Sequence, residues 1–157
     1  MKTLTTLFLA GTVLLATTAI AQNASDTNME ILKQKIKADK KLLVAGNMDL
    51  SDAEAKQFWP IYDSYQQELE EVNQKLGKTI KEYADAFNKG SVPNDTAKKL
   101  LDEVLSIDEQ EVKLRRSHAE KLGKSLPATK VARYIQMETK IRSLLRMELA
   151  QQIPLNY

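Results

Sequence analysis

The sequence predicts an all-α protein of four helices, and three observations predict it. Gly and Pro are scarce, five and four in 157 residues, and most of them cluster where a helical pattern stops. The segments between them are rich in the good helix formers Ala, Leu, Glu, Lys and Gln. Within those segments apolar residues recur three and four positions apart, the period of a helix face. No sheet is expected.

Ahead of the first helix, Lys2, the apolar stretch Leu7 to Leu15 and the small-residue end Ala19-Ile20-Ala21 have the zones of a secretory signal peptide. Cleavage is expected after Ala21, which leaves residues 22–150 as one helical domain and 151–157 as a C-terminal tail. The apolar stretch is well short of the ~20 residues that span a bilayer, and none like it follows, so no membrane span is expected. The compartment that fits is the periplasm. With no Cys in the chain, export brings no disulfide framework, lipid anchor through Cys, thiolate metal site or Cys nucleophile.

The first helix is expected from about Thr27 to Val44, with Met29, Leu32, Ile36 and Leu43 as its stripe and Ala45-Gly46-Asn47 as its stop. The second starts at Ser51-Asp52-Ala53-Glu54, the spacing of a capping box, with Leu50 placed as a hydrophobic staple. From there Phe58, Tyr62, Tyr65, Leu69, Val72, Leu76, Ile80, Tyr83 and Phe87 advance by three or four residues along one face of a long helix. Pro60 removes one amide donor near its start, and a bend is expected there.

Lys89-Gly90-Ser91-Val92-Pro93 makes a turn, after which Asn94 or Asp95 can cap a third helix running to about Leu122. Its stripe is read as Leu101, Val104, Leu105, Val112, Ala119 and Leu122, interrupted by Asp108 and Arg115. Acidic residues gather in its first half and basic ones in its second, the order that complements the helix dipole. Gly123 to Pro127 turns the chain into a fourth helix to about Leu149, carrying Val131, Tyr134, Ile135, Ile141, Leu144, Leu145 and Leu149. The tail stops helical pairing at Pro154 and can dock through Ile153, Leu155 and Tyr157.

The chemical inventory is poor in reactive groups. His118 is the only histidine, and no nucleophile–His–acid set, phosphate-cradling glycine loop or zinc spacing occurs. No enzyme, no cofactor and no catalytic residue is expected. Met29 with His118 is the one pair that could hold a noncovalent haem, and His118 with nearby carboxylates would make a weak, unselective metal site. Against both, a lone His between Arg116 and Lys121 reads as a solvated surface residue. Charge is nearly balanced, 23 bases against 21 acids, which gives no footing for nucleic acid. Phe58, Trp59, Tyr62 and Tyr65 crowd around Pro60. They are core residues on the plainer reading, with Trp59 a flanking packer, and part of a protein-binding surface on the other.

The order of these motifs resembles the periplasmic Spy/CpxP family, helical stress proteins marked by two Leu-Thr-x-x-Gln signatures. Leu50-Ser51-Asp52-Ala53-Glu54 stands at the first, with Ser for Thr and Glu for Gln. Leu126-Pro127-Ala128-Thr129-Lys130 stands at the second and keeps only the Leu. The resemblance spans roughly residues 30 to 146. It implies a four-helix hairpin or cradle with long second and third helices, often a homodimer. It also implies ATP-independent shielding of unfolded or envelope proteins, or, as the alternative, a signalling accessory or metal-responsive regulator that binds an envelope sensor-kinase domain. On this reading partner binding falls to Trp59, Tyr62 and Tyr65, with Arg142 and Arg146 as flanking bases.

Overall fold

The computed structural model describes residue 35 and residues 37–155. The expected signal peptide, the positions Met29, Leu32 and Ile36 of the first stripe, and Tyr157 lie outside these residues. Among the described residues the protein is all-α, with four helices and no strand. The chain divides into two units, 1–43 and 44–157. In the first, residues 37–43 are helical, and Leu42 and Leu43 are exposed.

Helix α1 is helical over 37–48, so it runs past the expected stop at Ala45-Gly46-Asn47. The reason lies in Met48, which is 1% exposed and, with Val44, belongs to the core of the second unit. Burying such a side chain is worth roughly 1.5–3 kcal/mol, against about 1 kcal/mol for keeping Gly46 helical. The left-handed turn residue is instead Asp49, at φ 47°.

Helix α2, Asp52–Phe87, begins with the capping box read from the sequence. The Ser51 amide donates to Glu54 Oε2 at 2.8 Å and the Glu54 amide to Ser51 Oγ at 3.4 Å. The helix continues through Pro60 without interruption. Its stripe is buried from Phe58 to Val72, whereas Leu76, Ile80, Tyr83 and Phe87 are only half-buried.

Gly90, at φ 112°, carries the turn into α3, Asn94–Gly123. Asn94 is the first helical residue rather than a cap, and Pro93 holds the N-cap position with no side-chain bond. A tight turn with Leu126 buried leads to α4, Ala128–Gln152, which ends one turn later than expected.

Side-chain bonds fix the directions. Lys99 Nζ meets Glu82 Oε1 at 2.5 Å and Lys75 Nζ meets Gln110 Oε1 at 2.7 Å, so α3 runs antiparallel to α2. Lys130 Nζ reaches Glu54 Oε2 at 2.6 Å, Gln66 Nε2 reaches Glu138 Oε1 at 3.0 Å, and Tyr83 donates to Pro154 O at 2.9 Å, so α4 runs parallel to α2. The second unit is therefore an up-down-up bundle of three helices.

One end of that bundle holds the core. Phe58, Tyr62, Tyr65 and Tyr134 pack with ring centroids 5.1 to 6.2 Å apart, closed by Val44, Met48, Leu69, Leu122 and Leu126. Edge-on and tilted ring contacts of this kind add ~0.5–1.5 kcal/mol each to the area they bury.

The stripe of α3 differs from the one expected. Its inward residues are Leu100, Val104, Ile107, Glu111, Leu114, His118 and Leu122, while Leu101, Leu105 and Val112 are exposed. Only Val104 and Leu122 belong to both. The face that packs against α2 and α4 contains the polar side chains Glu111 and His118, and the series one position round the helix contains Asp108 and Arg115, so apolar content does not separate the two.

Candidate functional site

Beyond the aromatic core, the middle of the bundle is crossed by a polar seam. Glu111, buried on α3, accepts from Arg142 Nε at 2.9 Å and again from Arg142 Nη2. Arg142 Nη1 donates to Asn73 of α2. Arg146 Nη2 bridges Glu111 at 2.9 Å and Asp108 at 2.6 Å. Burial works against the charge on Glu111, but the bonds from Arg142 and Arg146 outweigh it and hold its carboxyl below the ordinary value. The seam thus joins all three helices through satisfied charges, the form in which buried ions are tolerated.

His118 lies toward the aromatic end and is 1% exposed, not solvated as its charged neighbours in sequence suggest. Its ring sits 5.2 Å from that of Tyr65, and Nδ1 is 3.1 Å from Leu114 O. Nε2 faces Glu68 Oε1 at 3.4 Å without forming a hydrogen bond. Among the described residues no three His, Cys, Asp or Glu side chains come together as metal ligands. Met29, the other member of the candidate haem pair, is outside them.

At the far end the bundle opens. A groove of about 610 Å³ lies between α2, α3 and the distal turns of α4, walled by Leu76, Ile80, Leu100, Val104, Leu149 and Ile153. Thr79, Asp108 and Arg146 are its polar members. The Thr79 hydroxyl is used, lying 3.1 Å from Lys75 O and 3.2 Å from Glu103 Oε2. A larger concavity of about 880 Å³ on the α2–α3 face mixes Lys75, Lys78, Lys98 and Lys99 with Glu82, Asp95, Asp102 and Glu103. Its four cations and four carboxylates balance in number, so it offers no field of one sign to a ligand.

The five residues expected to bind a partner are split by this architecture. Tyr62 and Tyr65 are core side chains, 2% and 3% exposed, and burial pushes both phenols above their ordinary value. Arg142 is absorbed by the seam. Trp59, half-buried against the core, and Arg146, at the rim of the groove, keep surface toward solvent. Sequence reasoning missed Glu111, Asn73 and the groove. A signal for Glu111 exists in retrospect, since it falls four residues after Ile107 and three before Leu114.

Compared with protein-family models, curated proteins and solved structures, the chain matches none. Among the described residues no helix is long and apolar enough to cross a membrane.

Proposed function

We propose that the chain is an exported binding protein of the Spy/CpxP kind, which shields apolar segments of unfolded or envelope proteins without ATP and without catalysis. The observation that carries this reading is the set of large apolar side chains left outside the bundle. Leu101, Leu105 and Val112 on α3 and Leu144, Leu145 and Met147 on α4 each keep half or more of their surface exposed. Exposed apolar side chains repeated along helices are what a protein surface carries when it binds other proteins. Lys140 and Arg133 of α4 are exposed as well and supply long amphipathic side chains for such contacts. The capping box at Ser51 and the long α2–α3 hairpin agree with the resemblance.

Light scattering tests the proposal. A chemically denatured, aggregation-prone client is diluted with and without the purified chain at several ratios and two salt concentrations. Suppression near equimolar ratio is expected, and Leu144→Ser with Leu145→Ser should abolish most of it while helicity stays unchanged. No suppression at any ratio would sink general shielding and leave a dedicated envelope partner, such as a sensor domain, as the remaining binding role.

A further inference from the structure

We propose that the groove at the open end of the bundle binds a medium-chain amphiphile with a carboxylate head, its alkyl chain lying along the helices and its head against Arg146. Shape is the first ground. One end of the groove is marked by Leu76, Asp108 and Arg146, the other by Tyr83, Ala97 and Ile153, the residue that caps α4. Leu76 to Tyr83 and Arg146 to Ile153 each advance seven residues and Ala97 to Asp108 eleven, about 10 to 16 Å at ~1.5 Å per residue. An extended chain covers about 1.2 Å per bond, taking ~3.6 Å for the three bonds of a peptide unit, so about eight to thirteen bonds run the length. The volume of about 610 Å³ lies within the ~300–1,000 Å³ of small-molecule sites. Ala97 and Ala150 are the small side chains that leave the space open between aliphatic walls.

Charge is the second ground. Arg146 makes its bonds to Asp108 and Glu111 through Nη2 alone. Its Nε and Nη1 form no hydrogen bond among the described residues, 45% of the side chain is exposed, and the residue lines the groove. A guanidinium edge with donors to spare suits a carboxylate, whereas Asp108, already answered by Arg146, offers less to an ammonium head. The apolar walls select the chain, and the arginine selects the head. Of the exposed residues that carry client shielding only Leu101 also lines the groove, while Leu144 and Leu145, through which that reading is tested, do not, so the two assignments can fail separately.

Calorimetric titration of the purified chain with sodium octanoate and with 1-octanol tests it. Saturable binding of one octanoate per chain is expected, about tenfold tighter than octanol, the scale of a charge-assisted bond. Arg146→Gln should erase that preference and Arg146→Lys keep part of it. Ala150→Phe, at an exposed position that fills the groove, should weaken both ligands about tenfold or more with helicity unchanged. Equal affinity for octanoate and octanol, binding that ignores Ala150→Phe, or no saturable binding would each overturn the proposal. Were Arg146→Gln to misfold, the octanol comparison and Ala150→Phe would still decide. Capture of a Leu-rich peptide amide with no octanoate binding would assign the groove to protein clients instead.

Discussion

The two ends of the three-helix bundle are made from the same helices, yet one is closed and the other open. Near Ser51 the inward positions are Phe58, Tyr62, Tyr65 and Tyr134, whose rings fill the space between α2 and α4, with Leu122 and Leu126 beneath. Near Tyr83 they are Leu76, Ile80, Leu100 and Leu149, with Ala97 and Ala150 beside them, and about 610 Å³ stays unfilled. An unbroken apolar stripe on α2 serves both ends, so periodicity does not decide which closes. Side-chain volume on the facing helices does. The difference is sharpest in large-to-small substitution. Phe58→Ala removes a ring from the closed end and should cost about 3–5 kcal/mol, while Ile80→Ala beside the groove should cost nearer 1 kcal/mol. Urea unfolding of the two variants measures the contrast, and equal losses would mean that the groove is filled in solution.

This contrast also marks what the sequence could and could not reveal. The length and phase of α2 follow from nine residues at spacings of three and four, and its start from the reciprocal bonds of Ser51 and Glu54. The phase of α3 does not follow in the same way. Reading apolar residues alone favours Leu101, Leu105 and Val112, but α3 turns Glu111 and His118 inward because their neighbours lie on other helices. Arg142 and Arg146 make the buried Glu111 tolerable, and no local pattern in α3 announces them. For the same reason Tyr62 and Tyr65 could be read as surface or core from their own helix. Tyr134, 69 positions beyond Tyr65, settles the matter by packing on them.

The seam between the two ends can be weakened on its own. Glu111→Gln keeps the shape of the side chain but removes the charge that faces Arg142 and Arg146, and should cost about 2 kcal/mol at neutral pH. Acid should do part of the same work in the native chain. The Lys130 bond, with help from the Ser51 amide, holds the Glu54 carboxyl down at about 2, and Glu111 is lowered from the same ordinary value of 4.5. Because the unfolded chain takes up those protons first, the stabilisation is present above about 4.5 and drains away as the pH falls from there toward 2. Urea midpoints at pH 7, 5 and 3 should drop less steeply for Glu111→Gln than for the native chain. Parallel curves would show that the seam acts through shape and not charge.

The smallest expected effect concerns His118, where the closed end meets the seam. Its ring fills a place between Tyr65 and Leu114, and Nδ1 can donate to Leu114 O. With that tautomer Nε2 presents a lone pair to Glu68 Oε1 at 3.4 Å, an arrangement that returns no hydrogen bond. A buried polar atom left without a partner costs ~1–3 kcal/mol, more than the ~1 kcal/mol returned by one neutral hydrogen bond. His118→Leu, which keeps most of the volume and removes both groups, should therefore stabilise the bundle by about 1 kcal/mol and raise Tm by roughly 3–6 °C. Thermal melts followed by far-ultraviolet circular dichroism read this directly. A fall in Tm of similar size would instead mean that the imidazole bonds to Glu68, making His118 the last member of the polar seam rather than the first of the core.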